Sequence, residues 1–244
     1  AHATDSCAIE PSSAKYLKFN GNYNTVIPAG KSRFSDALTF DLQPLERLAI
    51  TINYDKAPRV PTVHMGSRTT SYILRGVSTP KTSFDKAFRE DHWFNIAAID
   101  VFDLTAKSIA IIGNSITDGK NSTNNAQNRW PDILSESLQK KHGVTDVGIL
   151  NLGIGNNRVT LTGGFGFMAR KRFDHDILLQ RGVRTVVIFE GVNDIGATPN
   201  NKVETVTNDL IQSYEEMIRK AKERNLRVFL GTISPFKGAG YYSV

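Results

Sequence analysis

Ser108-Ile109-Ala110-Ile111-Ile112, running directly into Gly113-Asn114-Ser115-Ile116-Thr117-Asp118-Gly119, is the stretch whose reading decides the fold. The apolar run has strand length and no helical period, so it reads as a buried strand. The small and polar residues behind it read as a turn that opens a helix. Moving outward, Trp130 to Lys141 reads as a helix with Ile133, Leu134 and Leu138 inward. Val147 to Leu152, Thr185 to Phe189 and Arg227 to Ile233 are further apolar runs of strand length. Before the last of them, Val203, Val206, Leu210, Tyr214, Met217 and Ala221 recur at steps of three and four, the period of an amphipathic helix. Asn201 fits the N-cap of that helix and Asn225 its end. Strands alternating with helices predict a parallel α/β sheet over residues 106–244.

Upstream, the pattern differs. Thr25-Val26-Ile27, Ala37 to Leu42 and Leu48 to Tyr54 are short β-branched or alternating runs punctuated by turn residues. Residues 1–105 therefore read as a β-rich, sandwich-like region. It holds too few strands at its start to close a sandwich, just as the α/β part stops soon after its fourth strand. Both ends are expected to be incomplete.

Composition narrows the function classes. Of 244 residues 40% are apolar and 22% charged, as in an ordinary globular chain. No apolar run has the ~18 residues of a membrane span. Cys7 is the only cysteine, which excludes an internal disulfide framework and a thiolate zinc cluster. Lys and Arg exceed Asp and Glu by 30 to 24, but the basic residues are scattered, so solvated surface is the better reading and no nucleic-acid partner is expected.

In a parallel sheet, ligands bind beyond the carboxyl ends of the strands. Three polar clusters fall there: Gly113 to Gly119, then Gly153-Ile154-Gly155-Asn156-Asn157-Arg158, then Glu190-Gly191-Val192-Asn193-Asp194. A Ser at the start of a helix meets free N–H groups that favour developing negative charge, and an Asn on a neighbouring strand end can donate to an acyl oxyanion. Singly, Ser115 reads as a helix cap and Asn193-Asp194 as a turn; together they read as one site.

These residues resemble the GDSL or SGNH hydrolases. Gly113-Asn114-Ser115 resembles that family's first block, usually Gly-Asp-Ser; Asn151 to Arg158 resembles the second, and Gly191-Val192-Asn193-Asp194 the third. Arg129-Trp130-Pro131-Asp132 and Arg172-Phe173-Asp174 fit one esterase branch, and residues 22–75 resemble its preceding β-rich region. The resemblance implies a flavodoxin-like parallel sheet and a Ser115 nucleophile. The oxyanion donors would be the Ser115 N–H, the Asn156 N–H and the Asn193 amide, with Gly113 and Asp194 in support. No metal or organic cofactor is implied. The implied substrates are short-acyl esters, including O-acetyl groups on small molecules or polysaccharides, and the location is secreted or periplasmic.

Three departures stand out. Asn114 replaces the usual Asp, and Asn156 replaces a Gly, although Asn tolerates the left-handed backbone and keeps its N–H. The Asp-x-x-His block that would supply the base is absent. His142 ends a helix, His175 reads as a surface loop residue, and His2, His64 and His92 lie in the β-rich part. A complementing C-terminal segment or chain carrying the base is the corresponding expectation. A non-catalytic protein that binds carbohydrate or a partner is the alternative. Gly153-x-Gly155 does not make a dinucleotide site, because Arg158 stands at the third glycine position. Ser12-x-x-Lys15 and Ser137-x-x-Lys140 lack the partner motifs of a β-lactamase. The loop Gly163-Gly164-Phe165-Gly166-Phe167-Met168 reads equally as an acyl-pocket lining or as core.

Overall fold

The computed structural model describes residues 1–3, 7–76 and 83–238. They divide into two compact units, one of residues 1–64 and 70–101, the other of residues 65–69 and 102–244.

The first unit holds two short antiparallel ladders. β1 (Val63–His64) pairs with β4 (Trp93–Phe94), and β2 (Ser71–Ile73) with β3 (Phe88–Glu90). The runs at 25–27, 37–42 and 48–54, expected as strands, form none; Leu48 makes a single isolated bridge to His2. Their apolar side chains are too exposed for a strand's buried face: Val26 is 80% and Ile52 43% exposed. An alternating pattern becomes a strand only where a neighbouring strand satisfies its N–H and C=O groups.

The second unit is built on a parallel sheet of β5 (Lys107–Gly113), β6 (Val147–Gly153), β7 (Val183–Phe189) and β8 (Arg227–Leu230), in the order β6-β5-β7-β8. The helices are α1 (Ser115–Asp118), α2 (Trp130–His142), α3 (Ala169–Phe173), α4 (Val192–Gly196) and α5 (Val203–Glu223). The chain leaves β5 for β6 on one side and returns to β7 on the other, so the order switches at β5. Register places Gly113 opposite both Gly153 and Phe189, so three strands end level. That rim carries all three polar clusters.

The core sits on one face of the sheet. Ala110, Ile112, Val186 and Ile188 pack with Phe173 and Ile177, and with Val206, Leu210, Met217 and Ala221 of α5. Three details depart from the sequence reading. A 3-10 turn at Asn200–Lys202 precedes α5, so Lys202 rather than Asn201 stands at the N-cap, and Val203 is half-exposed. Asn225 takes the left-handed conformation just past the helix, as its reading required. Ile133, expected inward, is exposed, because α2 packs on the edge strand β6, which covers it only in part. β8 ends at Leu230 rather than Ile233; it is paired on one side only, and Phe229 and Leu230 remain half-exposed.

Candidate active site

Ser115 opens α1, a helix of four residues. Asn114 caps it: its Oδ1 accepts the Ile116 N–H at 3.0 Å, leaving the side chain 2% exposed. The turn needs Gly113, since a Cβ there would lie 2.2 Å from Thr117 Oγ1. Among the described residues, neither the Ser115 N–H nor its Oγ is engaged in a hydrogen bond. A helix N-terminus with an unengaged N–H beside a hydroxyl suits a developing oxyanion.

Asn156 has φ +54°, the left-handed backbone expected of a residue standing where glycine is usual. Its N–H donates to no described group, while its carbonyl accepts the Phe165 N–H at 3.3 Å. Asn193, on α4, donates one amide proton to Asn157 O at 2.9 Å, which leaves the second free. The fully buried Asp194 carboxylate accepts the N–H groups of Val159 (2.8 Å), Thr160 (2.9 Å) and Leu161 (3.1 Å) and the Thr160 hydroxyl (3.0 Å). The Asn-Asp pair thus divides its work: one side chain points at the rim, the other holds the following loop.

The ends of β5 and β6 are tied to one another. Ile154 N–H donates to Gly113 O at 2.9 Å, Asn151 Nδ2 to Thr117 O at 2.9 Å, and Gly155 N–H to Asp118 Oδ2 at 3.0 Å. Residues 65–69, far upstream in sequence, complete the same unit. Arg129 Nη1 donates to the carbonyl of buried Ser67 at 2.8 Å. A Cβ on Gly66 would lie 2.0 Å from Asp118 Oδ2, so any larger residue there must push that carboxylate aside.

Glu190 directly follows β7 with its side chain fully buried, and neither carboxyl oxygen has a well-formed hydrogen bond. Burial pushes its pKa up to about 8, against the pull of the Arg172 guanidinium, whose Nη2 lies 3.8 Å away, and of the Asn114 amide. The carboxyl is therefore protonated at neutral pH.

Of the histidines in this unit, His142 stands exposed at the last turn of α2. His175 is 82% exposed, with Nδ1 2.8 Å from Asp176 Oδ1. Neither is bonded to Ser115. Phe165 and Phe167 are 62% and 77% exposed, so they are not core residues. Among the described residues, no group of three or more His, Cys, Asp or Glu side chains is placed to hold a metal, and no helix is long and apolar enough to cross a membrane. Sequence reasoning placed Asn157 and Glu190 in the rim clusters and Arg172 in a family-like segment without giving any of them a role, and it passed over the Gly66-Ser67 pair. Only burial marks them: Asn157 is 1%, Arg172 5% and Ser67 0% exposed.

The comparisons bear on this rim. No curated protein matches the chain. Among solved structures it is similar to a G-D-S-L family protein from Desulfitobacterium hafniense DCB-2 (25% identity, 54% of this chain and 62% of that one, TM-score 0.41). It is also similar to AlinE4, an esterase of the SGNH-hydrolase family (18%, 56% and 65%, TM-score 0.42), and to the acetyl xylan esterase AlAXEase (24%, 50% and 56%, TM-score 0.39). The chain thus spans less than two thirds of the length of each. The profile of the GDSL-like lipase/acylhydrolase family matches residues 111–243, more than half of the chain and the very segment that carries Ser115, Asn156 and Asn193. On that match, the chain belongs to the GDSL-like lipase/acylhydrolase family, the SGNH hydrolases.

Proposed function

We propose that the protein is a serine esterase that removes short acyl groups, of the acetyl type, through an acyl-enzyme on Ser115. The observation that carries this reading is the unengaged Ser115 hydroxyl and N–H at the start of α1, on the same rim as the free Asn156 N–H and the second amide proton of Asn193. In this mechanism Ser115 Oγ attacks the ester carbonyl carbon while its proton passes to a general base. The carbonyl oxygen becomes an oxyanion facing three N–H donors. Collapse expels the alcohol, protonated by the same base, and water then repeats the sequence on the acyl-serine to release the acid. The reading assigns the base to a complementing C-terminal segment or chain, since among the described residues Ser115 Oγ makes no hydrogen bond to an imidazole.

For the substrate, the reading favours O-acetylated carbohydrate. Phe165 and Phe167 lie on a loop whose carbonyls are held by Asn157 Nδ2 at 2.7 and 2.9 Å, beside the Asn156 donor, and their rings stand in solvent. An acyl tunnel would bury its lining, whereas exposed, anchored rings suit stacking against a sugar face. Asn114 in place of the family's usual Asp and Asn156 in place of Gly favour a second reading, a non-catalytic protein that binds carbohydrate or a partner and retains the hydrolase fold.

Turnover of p-nitrophenyl acetate, with intact-mass detection of a phosphonofluoridate adduct on the same sample, tests the two readings. Turnover together with an adduct on Ser115 is the expected result. No turnover and no adduct, even with a histidine-bearing C-terminal segment supplied, would leave only the binding reading.

A further inference from the structure

Arg172 carries a guanidinium that is 5% exposed and lies beneath the rim. Its Nη2 donates to Gly113 O (3.2 Å) at the end of β5, and its Nη1 to Leu152 O (2.8 Å) near the end of β6 and to Asp176 Oδ2 (2.8 Å). Its Nε donates to Asn157 Oδ1 at 3.1 Å. Asn157, itself 1% exposed, spends its remaining polar atoms on the rim: its carbonyl accepts the Asn193 amide at 2.9 Å, and its Nδ2 holds the carbonyls of Phe165 and Phe167. One buried cation is thus linked by directed hydrogen bonds to the strand end that carries Ser115 and to the residue that aims Asn193. It also reaches the turn after β6 that presents Asn156.

We propose that Arg172, acting through Asn157, is the positioning residue that sets the spacing between the Ser115 turn and the oxyanion donors at Asn156 and Asn193. The physical case rests on the planar fork. Only a guanidinium reaches Gly113 O, Leu152 O and Asn157 Oδ1 at once; an ammonium on a flexible stem satisfies part of that set and fixes none of the angles. Oxyanion donors act only if they are already in place when charge develops, and a shift of ~1 Å costs on the order of a hundredfold in rate. Ground-state binding of a small ester involves these donors far less, so the loss falls on kcat.

This inference rests on the esterase reading for its kinetic arm but not for its spectroscopic one. The test is Arg172→Lys in the full chain, with far-UV circular dichroism to establish folding. It then compares p-nitrophenyl acetate kinetics with the proton–nitrogen spectrum of the Asn193 side-chain amide, assigned by its disappearance in Asn193→Asp. The expected result is a folded variant with kcat lowered by roughly ten- to a hundredfold, KM within about twofold, and an Asn193 amide resonance that moves and exchanges faster. A folded variant with wild-type kcat and an unmoved Asn193 resonance would overturn the proposal. If wild type shows no turnover even with a histidine-bearing C-terminal segment supplied, but the resonance still moves in the variant, the positioning role stands and the esterase reading falls. Should Arg172→Lys fail to fold, Asn157→Ser cuts the same link from the other side and the same readouts decide.

Discussion

Replacing Asp194 should cost stability in an amount that can be worked out atom by atom. Its Oδ1 accepts the Thr160 N–H, the Thr160 hydroxyl and the Leu161 N–H; its Oδ2 accepts the Val159 N–H. Asp194→Ala withdraws both acceptor oxygens, with their four hydrogen bonds, and strands three backbone N–H groups. Each buried donor left without a partner costs about 1–3 kcal/mol, and water entering the vacated space holds the sum near the low end, at ~3–5 kcal/mol. Asp194→Asn keeps an oxygen for the three Oδ1 bonds but turns an NH2 toward the Val159 N–H, donor against donor, for ~2 kcal/mol. Urea denaturation followed by the far-UV helix signal is the assay, because α1 to α5 all lie within the unit that contains Asp194. With a slope of about 2 kcal/mol per molar urea, the midpoint should fall by ~1.5–2.5 M for Ala and ~1 M for Asn. An Ala variant within about 1 kcal/mol of wild type, or an Asn variant as damaged as Ala, would refute the scaffold role.

Ser115→Ala should abolish turnover and phosphonofluoridate labelling with the melting temperature nearly unchanged, since among the described residues the hydroxyl makes no hydrogen bond; retained labelling would place the nucleophile elsewhere. Asn193→Ala should lower kcat by about two to three powers of ten, as for the loss of one oxyanion donor, and steady-state kinetics on p-nitrophenyl acetate check it. Glu190 carries a pKa raised from 4.5 to about 8, so between those values the folded state keeps a proton that the unfolded state releases. That contribution to stability is greatest at acid pH and is lost as pH rises toward 8. Glu190→Gln should therefore gain on wild type in melting temperature from pH ~5 to ~8, and parallel curves would contradict the assignment. Gly66→Ala should drive the Asp118 carboxylate off the Gly155 N–H, costing roughly 1–3 kcal/mol by urea midpoint; a wild-type midpoint would mean that the segment yields.

Much of the α/β unit is legible in one dimension because its signals are local. Ala110 to Ile112 and Val186 to Ile188 are runs that only a strand covered on both faces accommodates, and the step of three and four from Val206 to Ala221 is a helix buried along one stripe. The glycine-flanked ends of β5, β6 and β7 mark the rim, since turns that bring backbones this close select small residues. Where an element depends on a neighbour, the local pattern misses it. The runs at 37–42 and 48–54 have strand composition but no ladder, Ile133 faces solvent beside an edge strand, and α5 starts behind a 3-10 turn that no cap residue announced.

The candidate site divides along the same line. The sequence by itself determined the parallel sheet, the three clusters at its rim and the chemical character of Ser115, Asn156 and Asn193, because strand periodicity and turn chemistry act over a few neighbouring residues. Only the tertiary structure decided which side chains hold that rim in place. Arg172 and Asn157 are buried and bonded across 15 positions, and Ser67 and Arg129 across 62. Asp194, expected in support of the site, has its carboxylate wrapped by residues 159–161. Hydrogen bonds between buried groups depend on direction and distance in space, and nothing in the spacing of residues along a chain encodes either until the sheet has brought the strand ends together.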